Sequence, residues 1–147
     1  MGGRWASLLG LMLATATDAN ADAPRSIVIV AGPGGIAAEL TVDEARSLYS
    51  GRRVADRTRT RVVLTDYHEN LPIRDRFYQA VANRNGSQMR AFWTQRTFSG
   101  GGRAPMTVRT TEELITVLRT DARTVGFLWA DEVTPDLVVV HTIDVGG

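Results

Sequence analysis

The chain has 147 residues, 44% of them hydrophobic, with 17 basic against 16 acidic side chains. That length supports one buried core and excludes two domains of ordinary size, and a net charge of +1 excludes the concentrated basic field that recruits nucleic acid or an acidic membrane. Cysteine is absent, which excludes disulfides, thiol chemistry and a lipid-modified first residue.

The first predicted element is a signal peptide over residues 1–21. Arg4 gives a positive start, Trp5 to Thr17 is an apolar and small-residue run free of acidic charge, and Ala19-Asn20-Ala21 is an A-x-A cleavage pattern. Ala21-Asp22-Ala23 is a second such pattern, disfavoured because Pro24 would follow the cut. The run is too weakly apolar for a spanning helix, so no stable membrane insertion is expected and the mature domain, 22–147, is expected in the periplasm or outside the cell. Every basic residue is arginine, which reads as genome composition, although arginine also suits bidentate oxyanion binding.

Ile27, Val28, Ile29 and Val30 form a continuous β-branched run, predicting a strand over 26–31 covered on both faces. Gly32-Pro33-Gly34-Gly35 ends it. Thr41 and Glu44 predict a capping box, and the helix behind it carries Val42, Ala45, Leu48 and Tyr49 on one face before stopping at Ser50-Gly51. Residues 52–60 read as loop, and Arg61 to Thr65 as a second strand. Pro72 predicts the first position of the next helix, with Ile73, Phe77, Tyr78 and Val81 at helical spacing. Asn83-Arg84-Asn85-Gly86 breaks it, and Met89, Phe92 and Trp93 stripe another. Thr110 and Glu113 predict a second capping box, leading into Leu114, Val117 and Leu118. Two strands close the chain, Val125 to Ala130, with Val125, Phe127 and Trp129 as its buried face, and Leu137 to Ile143; the turn between them contains Pro135. Strands and helices mixed in this order predict an α/β or α+β domain with a small mixed sheet.

Several of these segments carry a resemblance. The helix ending Ser47-Leu48-Tyr49-Ser50-Gly51, then Ile73-Arg74-Asp75-Arg76-Phe77-Tyr78, Phe92-Trp93, Phe98-Ser99-Gly100 and Val125-Gly126-Phe127 follow the order and spacing found in phosphate-type periplasmic substrate-binding proteins, over about Ile27 to Ile143. The chain resembles the short, stand-alone members of that family. The resemblance implies a type II periplasmic-binding-protein-like α/β fold, limited by length to a single lobe, and a small oxyanion such as phosphate as the ligand, delivered to an ABC transporter or sensor.

Two stretches are candidate ligand sites. In the first, Thr65 to Pro72 reads as a loop entering a helix, where amides complement an oxyanion. Thr65, Asn70, Ile73 and Arg74 are its candidate contacts. Leu71 as cap offers no side-chain acceptor to the amides of Ile73 and Arg74, so these await water, Asn70, Glu69 or an anion held by Arg74. Asp66 and Glu69 read as loop acids facing water, and the turn lacks the family's hydroxyl cluster. The second stretch is Ser99-Gly100-Gly101-Gly102-Arg103, flanked by Arg96 and Arg109. Its glycines let amides approach a ligand and Arg103 adds a fork of donors; the same residues also suit a plain connector. Without a Gly-Lys-Ser/Thr ending there is no nucleotide signature.

No enzyme, metal or cofactor is expected. His68 and His141 have no ligand at metal spacing, and no serine sits in a nucleophile elbow. The aromatic set Phe77, Tyr78, Phe92, Trp93, Phe127 and Trp129 reads as core. The expected function is an exported solute-binding-like module, with an envelope interaction or scaffold protein as the alternative; a homodimer is a candidate way to complete the cleft.

Overall fold

The computed structural model describes residues 25–52, 62–68 and 71–145. The predicted signal peptide over 1–21, most of the predicted loop over 52–60 and Asn70 lie outside the described residues. Among the described residues five strands and four α-helices follow in the order β1 (Ser26–Ala31), α1 (Val42–Tyr49), β2 (Val63–Tyr67), α2 (Pro72–Ala82), α3 (Gly86–Phe98), β3 (Met106–Val108), α4 (Thr111–Thr120), β4 (Thr124–Trp129) and β5 (Val138–Asp144). Short 3-10 turns stand at Ile36–Glu39 and Ala130–Glu132.

The strands make one mixed sheet in the order β3-β2-β4-β1-β5. β2 pairs parallel with β3 and β4, whereas β1 runs antiparallel to both β4 and β5. β1, an interior strand between β4 and β5, is buried from Ile27 to Ala31, as its unbroken β-branched run predicts. At the β5 edge the register shifts between Ile29 and Val30, leaving Val140 as an extra residue between the pairs Ile29–His141 and Val30–Val139.

Helices cover both faces. Phe127 stacks on Phe77 at 3.8 Å with the rings 3° from parallel, and meets Tyr49 edge-on at 5.6 Å. α1 and α2 therefore share that side. Gly126 points the opposite way, where a Cβ would lie 2.6 Å from a Leu114 methyl and 2.8 Å from Thr65 Oγ1; only glycine lets α4 pack this closely. β4 is thus buried on both faces, including Thr124 and Leu128, not only along the expected Val125, Phe127, Trp129 side.

Other departures have local causes. The second strand starts two residues late and runs on through Tyr67, because its partners β3 and β4 lie alongside that stretch. Thr65 to Tyr67 is therefore strand, not loop. β3, unpredicted, exists only where β2 offers a parallel edge to Thr65, Asp66 and Tyr67. Val42, expected on the buried face of α1, is its first residue and stays 38% exposed. Thr41 and Glu44 form the full capping box. The Thr110 box is only half made: its hydroxyl accepts from the Glu113 amide at 3.1 Å, but the Glu113 carboxylate accepts instead from the Arg109 amide at 2.7 Å. Asn83 ends α2 in the left-handed region at φ 53, which asparagine tolerates. No helix among the described residues is long and apolar enough to cross a membrane.

Candidate functional site at the carboxyl ends of β2 and β4

From β2 the chain moves outward to β3 and then returns across β2 to β4. Such a reversal parts the connections on either side of a seam between two strands, and in open α/β sheets ligands settle outside the carboxyl ends of the strands at that seam. Here the seam is β2–β4. Their ladder pairs only Val63–Thr124 and Leu64–Val125, and past that point hydroxyl groups bridge the strands. Thr65 Oγ1 donates to the Val125 carbonyl at 2.8 Å, Tyr49 reaches the Thr65 and Val125 carbonyls at 3.0 and 3.1 Å, and Tyr67 donates to the Phe127 carbonyl at 3.1 Å. The opening is filled by side chains that satisfy strand carbonyls.

Beside this seam lies a buried charge pair. Arg74 comes from the first turn of α2 and Asp66 from β2, and each is less than 5% exposed. The Arg74 Nε donates to Asp66 Oδ1 at 2.9 Å and its Nη2 to Oδ2 at 3.0 Å. The Tyr67 amide reaches Oδ1 at 2.7 Å, and the Tyr78 hydroxyl reaches Oδ2 at 2.9 Å. Burial, reinforced by the Asp66 charge, holds the Tyr78 hydroxyl well above its ordinary pKa. The carboxylate is saturated; the guanidinium is not. Arg74 Nη1 is buried without a hydrogen-bond partner. It lies against the start of α3, where a Cβ on Gly86 would approach it to 2.5 Å.

Of the first candidate stretch, Thr65 and Arg74 are not brought together: Thr65 Oγ1 lies on the α4 side of β2 near Gly126, whereas Arg74 pairs with the alternate residue Asp66 on the α2 side. Thr65 is buried with its hydroxyl on a backbone carbonyl, Ile73 is 4% exposed in the core, and Asn70 lies outside the described residues. Asp66 does not face water: the strand carries it inward, where Arg74 neutralises it. The Arg74 amide donates to the Leu71 carbonyl at 2.9 Å, so a tight turn satisfies an amide for which the sequence offers no side-chain cap.

The second stretch is elsewhere. Ser99 to Arg103 is exposed throughout and leads into β3, at the amino ends of the parallel strands. α3 separates it from Gly86 by 13 residues, about 20 Å of helix. Gly100 and Gly102 take φ values of 73 and 140. The Gly101 amide donates to the Arg96 carbonyl at 2.9 Å, and Arg96 spends its guanidinium on the Gly51 and Gly101 carbonyls. The two stretches do not converge.

The exposed rim of the seam holds groups that the sequence reading assigned to the core or passed over. Trp129, half-buried, is flanked by Arg25 and Arg76 with guanidinium carbons 4.4 and 5.9 Å from the ring centroid, and Arg25 Nη2 also donates to both Asp131 carboxylate oxygens at 3.0 and 3.2 Å. Burial, against a hydrogen bond from Thr111 that acts in the opposite sense, pushes the Tyr67 hydroxyl up to about 12. No group of three or more metal-ligating side chains occurs among the described residues. No protein-family model, curated protein or solved structure matches the chain.

Proposed function

We propose that this chain is an exported, one-lobe solute-binding-like domain whose ligand is a small oxyanion engaged at the carboxyl end of β2, for a transporter or sensor of the ABC type. One observation carries the reading: Arg74 presents a buried, unpartnered Nη1 in the first turn of a helix without a side-chain cap, next to the seam where doubly wound sheets take their ligands. A saturated carboxylate beside an unsaturated guanidinium leaves surplus donors, and an unmet buried donor costs about 1–3 kcal/mol. An oxyanion meets that demand, and the amino end of α2 adds a favourable partial charge.

Thermal unfolding in phosphate, sulfate, nitrate or molybdate tests this. Saturation at about 100 times the dissociation constant adds roughly 2.7 kcal/mol of stability. Arg74→Lys, which keeps the charge and loses the fork, is expected to remove the shift, whereas Arg103→Ala leaves it intact. Absence of any shift at millimolar anion refutes the reading. The alternative is an envelope interaction protein that retains one binding-protein lobe. It is favoured by Phe98, 92% exposed beside the glycine loop, and by the separation of the two arginine-bearing stretches. Self-association measured by sedimentation, lost in Phe98→Ser and indifferent to anions, selects it.

A further inference from the structure

We infer that Asn85-Gly86 is a spontaneous modification site, a deamidation centre that the native corner between α2 and α3 holds closed. Four asparagines occur in the chain, followed by Ala21, Leu71, Arg84 and Gly86. Only Asn85 precedes a residue without a Cβ, so only there does the next backbone nitrogen have an unobstructed approach to the side-chain carbonyl.

In the reaction the Gly86 nitrogen attacks Asn85 Cγ. The N–Cγ bond forms, the Cγ–Nδ2 bond breaks, and ammonia leaves with the proton that the Gly86 amide gives up. Water then opens the succinimide at either carbonyl, yielding aspartate or isoaspartate, with no change of oxidation state.

The fold restrains both reacting groups. The Gly86 amide donates to Asp75 Oδ1 at 2.6 Å, which occupies the nitrogen. Asn85 Oδ1 accepts from the Gln88 amide at 2.8 Å while Gln88 Oε1 accepts from the Asn85 amide at 2.8 Å, which fixes the side chain as the cap of α3. The glycine that creates the hazard is itself imposed by packing. A Cβ there would stand 2.5 Å from Arg74 Nη1 and 2.7 Å from Asp75 Oδ1. The two products differ in consequence: aspartate remains a good cap, whereas isoaspartate adds a methylene to the backbone and displaces Gly86 from beneath Arg74.

The test is peptide mapping by mass spectrometry during incubation of the full chain at mildly alkaline pH, native and in denaturant. The native chain is expected to modify at Asn85 at least about tenfold more slowly than the denatured one, the effect of one charge-assisted hydrogen bond that must first break. Asp75→Ala, shown by circular dichroism to be folded, modifies at an intermediate rate, and Gln88→Ala supplies the same comparison from the other side of the corner if Asp75→Ala does not fold. Asn85→Ser keeps a cap and abolishes the mass change. Equal rates in native and denatured chains, a folded Asp75→Ala or Gln88→Ala that modifies no faster than the parent, or earlier modification at Asn70 or Asn83 overturns the proposal.

Discussion

Arg74 falls in phase with Phe77, Tyr78 and Val81, three, four and seven residues on, which are the spacings that share one helix face. A charged side chain on a buried stripe needs a counter-charge, and that phase was the signal in the sequence that Arg74 points inward. Asp66 carries no such signal, because a five-residue strand with one acid reads equally well as a strand end or a loop. Removing one partner of a buried ion pair costs about 3–5 kcal/mol. Asp66→Asn is therefore expected to lower unfolding stability by that amount, since Arg74 keeps its charge and loses its anion. Denaturant unfolding measures it, and a loss below about 1 kcal/mol would mean that the pair behaves as an exposed one.

Element boundaries divide according to the range of the interaction that sets them. The start of α1 was legible because Thr41 and Glu44 answer each other across three residues, with the Thr41 amide donating to the carboxylate at 3.0 Å and the Glu44 amide donating to the hydroxyl at 3.2 Å. Thr41→Ala is expected to cost about 1 kcal/mol, read from the denaturation midpoint. A change within error would show that packing alone holds the start of the helix. The Thr110 box illustrates a limit of motif reading: the spacing is right, but the Arg109 amide captures the Glu113 carboxylate. β3 was not legible at all. Three residues give no alternation to read, and the strand forms only because β2 already presents a parallel edge.

At the scale of the whole molecule all three tyrosines, Tyr49, Tyr67 and Tyr78, are buried, and burial raises each phenol above its ordinary pKa. A raised folded-state value means that the unfolded chain releases its protons first. The stabilisation is complete below the unfolded tyrosine pKa of about 10 and falls as pH climbs through about 12, the folded value of Tyr67. Each tyrosine removes about 1.4 kcal/mol per pH unit in that window. Tyrosinate absorbance is therefore expected to appear together with loss of circular dichroism in one alkaline transition. Phenolate appearing in a chain that keeps its dichroism would contradict the burial of the hydroxyl groups.

The sequence by itself determined the mixed α/β class, three of the four described helix starts, the buried β1 run and the Phe77, Tyr78 and Phe127 core, because each depends on a period of two or 3.6 residues or on a hydrogen bond a few positions away. The tertiary structure alone decided the strand order, the inward turn of Asp66, the hydroxyl bridges across the β2–β4 seam and the separation of Ser99–Arg103 from Arg74. Those outcomes join residues that chain reversals bring together or part, such as Tyr67 with Phe127 across 60 positions. No local pattern encodes which end of a sheet a loop will occupy until the strands have chosen their neighbours.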